Sequence, residues 1–589
     1  MLSFSLITSQ YRIIRILATK LNNLKNEITF IFCLFFLCVN SNSQQKYPQN
    51  YFRKPIDIPV IIAGTFGELR TDHFHSGIDL KTQQKEGLSV YAAAEGYVSR
   101  IKISNWGYGK ALYITHPNGY TTVYAHLKKF NKKIEAYIYK KQREQEKYEI
   151  QVFPEKSELI ISKNEPVAFS GSTGGFIKPH LHFEIRDTKT EEIINPMHFG
   201  LLAEDAKKPK ILTLQAYALN DSSHVKTSNI ALPIKLKEIE EGKYITDQIE
   251  SYGVIGFGID THDQQNGALN KNGVYKIEMS VNGKTIYEHQ LEKFAFSESK
   301  YINLHIDYPN YALKKRKYQK TFIHPENKLG IYRSIKEKGY LQIKNNLDYQ
   351  VIIKVSDFNK NTSTITIPVK GVKKTPFIKS KKPENTTYFI DYKKENVFER
   401  EYVKISFPKN TFYDNFFLDF KIKDSIITIH RPEIPLHKNY HLKFDVSKYS
   451  DIEKEKLFIA YMYKKKHLRY CKTIKTDSIF KTAVRTLGDF SLISDNEAPV
   501  ISECSFYSGQ NLKNYRYFTI KLEDKLSGIK NYRAEIDGKW ALLELDVKTN
   551  TLTYDFNRKK LDKGKHIFTL LAMDNVGNTC TFTSNFYIK

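Results

Sequence analysis

Pro179-His180-Leu181-His182-Phe183-Glu184-Ile185-Arg186 is the stretch whose reading decides the fold of the N-terminal part of the chain. Polar and apolar residues alternate through it, and residues two apart in a strand share a face. Both imidazoles therefore project one way, while Leu181 and Phe183 face the other way, toward a core. A hundred residues upstream stands its counterpart, His73-Phe74-His75-Ser76-Gly77-Ile78-Asp79. In a straight strand the Cα atoms of His75 and Asp79 would lie ~13 Å apart, too far for their side chains to share one ion. Gly77 and the β-rich surroundings argue against a helix, so the reading requires a bend at Gly77, where a residue without Cβ has conformations closed to others. Two imidazoles and one carboxylate form a standard catalytic zinc set with a fourth position left for water. Taken singly, each histidine is an ordinary satisfied polar residue. With 17 His in 589 residues, chance alone yields roughly half of one His-x-His pair, so the spacing acquires meaning only from its context. This chain has two such pairs.

Composition bounds what surrounds these motifs. A chain of 589 residues is too long for one hydrophobic core, and its 41% hydrophobic and 26% charged residues describe ordinary globular domains rather than a disordered or multispan membrane protein. The net charge of +27 comes from 91 Lys and Arg against 64 Asp and Glu. Lys is spread over every region and no nucleic-acid-binding module is recognisable, so nucleic acid is excluded as a partner. The charge favours anionic polymers with salt-dependent strength.

Residues 28–39 form the only strongly apolar run, preceded by Arg12, Arg15, Lys20 and Lys25 and followed by Ser41-Asn42-Ser43. Twelve residues span ~18 Å as a helix, short of a ~30 Å bilayer core, so residues 1–43 read as a cleaved signal peptide of an exported protein. The expected location is the periplasm or cell envelope, with the outer surface as the other possibility. Cys471, Cys504 and Cys580 remain in the mature chain. Three cysteines are no disulfide framework, and unpaired buried thiols are the favoured reading over a Cys504–Cys580 pair.

Pro209, Pro376 and Pro499 each follow a polar cluster and open an alternating run. They divide the mature chain into segments 45–203, 204–372, 373–494 and 495–589. Nearly everything after residue 204 reads as β, with a tight hairpin at Asn282-Gly283. The clear helix lies near residues 131–147. Asp357-Phe-Asn-Lys-Asn361 and Asp574-Asn-Val-Gly-Asn578 share one spacing and read as the same hairpin turn, with a calcium site as the sharper alternative. Asp260, His262 and Asp263 form another polar cluster, where a solvated turn outweighs the alternative of a metal site. Gly253, Gly256 and Gly258 depart from the dinucleotide fingerprint, so no nucleotide cofactor is inferred.

Between the two histidine motifs lie Val90-Tyr-Ala-Ala-Ala-Glu-Gly96, Gly107-Tyr-Gly109, His116-Pro-Asn-Gly-Tyr120, Tyr124-Ala-His-Leu127 and Ser170-Gly-Ser-Thr-Gly174, and Asn195-Pro196 follows them. In content, order and spacing the region from about Gly64 to Pro196 resembles a lysostaphin/LytM-type zinc metallopeptidase domain, the cell-wall peptidase family. The resemblance implies an antiparallel β peptidase domain, here with a helical insertion; the short strands with turn signals after residue 204 read as two or three immunoglobulin-like β-sandwich domains, making the chain mostly β. It implies His75, Asp79 and His182 as ligands of one zinc ion, and His126 and His180 as the catalytic histidines that do not bind it. His73 competes for the first ligand position, and the Asp four residues after His75 favours His75. His116 reads as structural. Which of His126 and His180 is the general base stays open.

The implied activity is that of an exported zinc endopeptidase acting on peptide cross-links of bacterial peptidoglycan, at D-alanyl or glycyl bonds. A catalytically silent wall-binding module that activates an amidase is the alternative, and degenerate relatives of that kind typically lose ligands. The later β domains carry no chemical motif, and their role stays open between adhesive or wall-binding sandwiches and surfaces for envelope protein partners. The chain departs from the family in an enlarged loop over residues 128–165 and in Asn164-Glu165, where a Gly-Gln pair is common.

Overall fold

The computed structural model describes residues 46–175, 178–334, 338–378, 386–463 and 467–589. The signal-peptide expectation for residues 1–43 lies outside them. Lys46–Tyr51 belongs to a separate N-terminal unit, within which the Gln49 side chain donates to the Tyr47 carbonyl at 3.3 Å. The second unit, Phe52–Lys589, holds all the strands and helices that follow. No helix of the described residues is long and apolar enough to cross a membrane.

Alternating residues become strands throughout, and the chain is mostly β. In the N-terminal part these are β1 (Ile62–Gly64), β2 (Ile78–Lys81), β3 (Ser89–Tyr91), β4 (Gly96–Ile103), β5 (Lys110–Thr115), β6 (Tyr120–Ala125), β7 (Leu127–Phe130), β8 (Ile150–Val152), β9 (Ile160–Ile161), β10 (Pro166–Ser170), β11 (His180–Asp187) and β12 (Ile193–Ile194). The main sheet runs β1-β2-β11-β6-β5-β4-β8, and β3-β10-β7 form a second, smaller sheet. All the pairings within both are antiparallel. β11 sits between β2 and β6, so both its edges are hydrogen-bonded and its register is fixed from two sides. Leu181 and Phe183 are fully buried, and Phe183 packs edge-on against Tyr124 of β6 with ring centroids 5.3 Å apart.

Helix α1 (Lys132–Gln145) falls in the enlarged loop. Asn131 caps it by accepting the Ile134 amide at 2.9 Å, which satisfies one of the amide donors left open at a helix start. Ile134, Ile138 and Gln142 are its buried stripe, and Glu146 ends it in the left-handed conformation.

Further along, Lys210–Ala218, Ile249–His262, Thr362–Gly371, Asp348–Ser356, Lys276–Val281 and Lys284–Gln290 lie side by side in one extended sheet. Gly253, Gly256 and Gly258 sit inside the second of these strands. Asn282 and Gly283 join the last two, with φ of 49° and 80°. Positive φ at both central residues matches the right-handed twist of the flanking strands, which explains the Asn-Gly pair. The main N-terminal sheet reaches this region directly, because β12 pairs with Lys293–Phe294.

Residues 396–494 hold two five-stranded sheets around a core that includes Phe407, Phe420, Tyr440 and Phe490. Residues 500–588 hold a four-stranded and a five-stranded sheet around Phe518, Phe568 and Phe586. Both have the sheet-on-sheet form of a β-sandwich.

Three local readings are sharpened by the structure. Asp357–Asn361 and Asp574–Asn578 form the same turn: in each the Asp amide donates to the Asn carbonyl at 3.1 Å, and the Asn side chain donates back to the Asp carboxylate at 2.7 and 2.8 Å. Cys471, Cys504 and Cys580 are free thiols, but only Cys471 is buried. The stretch read as a solvated turn is not solvated, since His262 and Asp263 are buried; only Asp260 turns outward, to Arg316 at 3.2 Å.

Phe183→Ala should remove the ring that joins β11 to β6 and lower stability by about 3–5 kcal/mol, the usual cost of emptying a buried aromatic site, read from the denaturant midpoint of the transition that carries this sheet.

Candidate metal centre

In the antiparallel pairing of β2 with β11, Asp79 lies directly opposite His182. On the other edge His182 faces Ala125, the last residue of β6. The chain then turns at His126, whose φ of 59° is a costly conformation for a residue with a side chain. That turn carries the His126 ring back over the sheet, to a centroid distance of 4.7 Å from His180 and 5.7 Å from His182.

His75 stands just before β2, and the bend places its Nε2 3.0 Å from Asp79 Oδ1. The reason for glycine at position 77 differs from the one the sequence suggests. Its φ is not positive; instead a Cβ there would stand 2.3 Å from the Phe183 carbonyl oxygen. Close passage of the strands, not an unusual dihedral, demands the missing side chain. At Gly64 a Cβ would lie 2.7 Å from Asp79 Oδ2, so a side chain there would push against the carboxylate itself.

His75 Nε2, His182 Nδ1 and Asp79 Oδ1 are mutually 2.9–3.0 Å apart. The proton assignments follow from the outer partners. His75 Nδ1 lies 2.8 Å from the Thr65 carbonyl, which can only accept, so Nδ1 carries the hydrogen and the Nε2 lone pair points inward. His182 Nε2 donates to Glu184 Oε1 at 2.8 Å, which leaves the Nδ1 lone pair pointing inward too. Three electron-pair donors therefore converge on one point and repel one another unless something positive lies among them. Zinc bonds of ~2.0–2.1 Å put neighbouring tetrahedral donors ~3.3 Å apart, so both the separations and the two-nitrogen, one-oxygen chemistry fit that ion. His75, Asp79 and His182 are all buried.

Without a cation, a proton serves the same purpose. Burial disfavours the His182 imidazolium, but hydrogen bonds to Asp79 and Glu184 outweigh it and push its pKa up to about 9. The Asp79 carboxyl is disfavoured by burial yet held well below its ordinary range by His75 and His182. His126 and His180 behave oppositely. Burial, with the neighbouring His182 and His180, pulls His126 down to about 3, and burial lowers His180. Both are therefore neutral rings at pH 7. His126 Nδ1 donates to the Thr173 carbonyl at 2.9 Å and His180 Nδ1 to the Lys178 carbonyl at 2.9 Å, so each carries its lone pair on Nε2. His180 Nε2 is 3.7 Å from Asp79 Oδ1.

Several supporting residues went unread in the sequence. Glu184 is fully buried and accepts from Ser76 at 2.6 Å, from Tyr108, from His182 at 2.8 Å and from Arg186 Nε at 2.7 Å. It is kept ionised against its burial chiefly by Arg186 and His182. Its signal was present: Glu184 is two residues past His182 and so on the same strand face. Arg70 donates to Asp79 Oδ2 at 3.2 Å; no local pattern marks it. The remaining histidines lie apart. His73 is exposed and pairs with Asp72 at 2.8 Å. His116 is buried between the Glu95 carbonyl and Thr122, at 2.7 and 2.8 Å.

The enlarged loop meets the C-terminal sandwich. Arg558 bridges Glu135 of α1, at 3.2 Å, and Glu544, while Lys110 of β5 reaches Glu544 at 2.8 Å. A cleft of about 1240 Å³ lies along this junction, lined by Lys128, Lys132, Arg143, Arg516 and Arg558 among others.

Glu184→Gln should weaken zinc binding ~10–100-fold, as loss of a partner behind a ligand does, measured by competition with a chromogenic chelator. Zinc uptake at pH 7 should release about one proton, because the ion displaces the one on His182; release should fade, and affinity rise, as pH climbs through about 9. Calorimetry in buffers of different ionisation enthalpy reads this directly.

Residues 73–143 match Peptidase family M23, and residues 387–495 match a Zu5-like domain. Over 133 residues the chain is 34% identical to the DD-carboxypeptidase/endopeptidase Mpg of Neisseria meningitidis serogroup B, an alignment covering 23% of this chain and 24% of that protein. Over 110 residues it is 30% identical to an uncharacterized metalloprotease of Haemophilus influenzae, covering 19% of this chain and 18% of that one. The catalytic domain of the antimicrobial peptidase lysostaphin from Staphylococcus simulans aligns at 22% identity over 24% of this chain and 91% of that chain, with a TM-score of 0.18. The chain spans about a quarter of the length of the first of these relatives. Its N-terminal part thus carries a Peptidase family M23 domain, with a Zu5-like domain further along.

Proposed function

We propose that this chain is an exported, zinc-dependent endopeptidase that hydrolyses peptide cross-links of bacterial peptidoglycan in the cell envelope. The observation that carries the proposal is the convergence of the lone pairs of His75, Asp79 and His182 within 3.0 Å of one another. His75, Asp79 and His182 would hold one zinc ion. When bound, zinc lowers the pKa of water toward neutrality and polarises a peptide carbonyl. The matched relative named as a DD-carboxypeptidase/endopeptidase supports a cell-wall peptide as substrate.

The protein's own groups do the rest. Thr65 and Glu184 hold the two ligand imidazoles in the tautomers that aim lone pairs inward. His126 and His180 are both neutral with Nε2 as acceptor, so either can take the proton of the attacking water and pass it to the leaving amine; the other hydrogen-bonds the developing oxyanion only once its own Nε2 carries a proton. Lys and Arg outnumber Asp and Glu along the α1 cleft, and that excess of positive charge suits a substrate rich in free carboxylates, as stem peptides are. The intact ligand set weighs against a silent amidase activator.

Digestion of purified sacculi by the zinc-loaded protein, followed by mass analysis of the released muropeptides, tests the activity and names the bond. His182→Ala should abolish hydrolysis and lower zinc content. His180→Ala should abolish hydrolysis with zinc retained. Full activity in either variant would refute the assignment.

A further inference from the structure

A second cluster of acidic side chains lies away from the histidines. One carboxylate oxygen each from Asp205, Asp263 and Asp357 falls within 4.8 Å of the other two. Asp205 belongs to the connection that leaves the peptidase domain. Asp263 directly follows the strand Ile249–His262, and Asp357 opens the turn that ends at Asn361. Three distant stretches of chain thus bring like charges together at the junction of two domains.

The surroundings do not neutralise them. Asp263 and Asp357 are only 3% and 4% exposed, and among the described residues none of the three forms an ion pair with Lys, Arg or His. The nearby Lys207 ammonium is spent on the Gln265 carbonyl, at 3.2 Å. Asp357 is partly satisfied by the amide and side chain of Asn361, at 2.8 and 2.7 Å, and Asp205 by the Lys207 amide at 3.0 Å. Asp263 differs: its Oδ1 is buried with no hydrogen-bond partner. A buried carboxylate oxygen left without a donor, beside two further carboxylates, is expensive unless a cation completes it. Burial and the two neighbouring aspartates push Asp263 up to about 7, and burial raises Asp357 to about 6.

Space is available for the missing partner. A cavity of about 20 Å³ is bordered by Asp205, Asp263 and Asp357 together with Asn359 and, from the peptidase side, Thr65 and Asn195. That is room for one ion or one water. Every polar side chain named here presents oxygen or amide groups, with neither imidazole nor thiol, which selects a hard cation over zinc. We propose that Asp205, Asp263 and Asp357 bind one calcium ion that ties the peptidase domain and its outgoing connection to the β domain that follows. The ion would act alongside the β12 pairing with Lys293–Phe294, and none of its three carboxylates belongs to the set proposed for zinc.

Part of the same pattern recurs at the last sandwich, where Asp495, Asp524 and Asp574 cluster and Asp495 precedes Pro499 by the spacing that separates Asp205 from Pro209. There the Asp495 and Asp574 oxygens are taken by backbone amides and by Asn578, so the proposal is confined to the first cluster.

The test uses the full chain, loaded with zinc and freed of calcium, with calcium binding measured by equilibrium dialysis and thermal unfolding followed in parallel. Wild-type protein should bind calcium and unfold at a higher temperature with it. Asp263→Asn, which preserves shape and removes the charge, should bind one calcium fewer per chain, lose that temperature shift and retain its zinc. Should Asp263→Asn fail to fold, Asp205→Asn, on the partly exposed connection, makes the same comparison. Equal calcium stoichiometry in variant and wild type, no binding by wild type at millimolar calcium, or displacement of the ion by equimolar magnesium would each overturn the proposal. Loss of peptidoglycan hydrolysis in His182→Ala with calcium binding intact keeps the two sites separable.

Discussion

Everything at the centre depends on one register: β2 and β11 run antiparallel with Asp79 opposite His182. A shift by one residue would turn every side chain of β11 over, sending Leu181 and Phe183 to the open face and both imidazoles into the core. The two glycines that border the site protect this register. Gly77 lets the backbone pass the Phe183 carbonyl, and Gly64 leaves room for the Asp79 carboxylate. Because β11 is held on both edges, the proposed ligands need little reorganisation to receive an ion. Glu184, itself held by Ser76, Tyr108 and Arg186, extends that rigidity one layer outward.

Charge organises the molecule at a larger scale. Lys110 is only 2% exposed and reaches Glu544; burial opposes the Glu544 carboxylate, yet Lys110 and Arg558 hold its pKa down to about 2. Partly buried pairs of this kind add little net stability compared with apolar packing, but they penalise any arrangement that leaves one partner alone. They therefore specify how the last sandwich meets α1 and β5. The proposed calcium site would work by the same logic at the other junction, with an ion as the positive partner.

The strand of His180–Asp187, the helix after Asn131 and the Asn282-Gly283 hairpin were readable because each is set by neighbours in sequence: alternation, a cap and two residues tolerant of positive φ. The grouping of His75, Asp79 and His182 was readable because spaced motifs announce it even though a hundred residues intervene. Arg70, Thr65 and the role of Gly77 were not, since what matters there is the distance to a backbone or carboxylate that no local pattern specifies. The burial of Asp263 escaped for the same reason: a polar triplet after a strand looks like a solvated turn until another stretch of chain covers it.

By itself, then, the order of residues determined which segments become strands and which polar side chains lie on one face of them, for these are consequences of short-range geometry. The tertiary structure alone decided which tautomers are locked, which carboxylate stands behind His182, and which aspartates lose their water. Those outcomes depend on desolvation and on contacts between stretches far apart in the chain, and neither exists before the strands have packed.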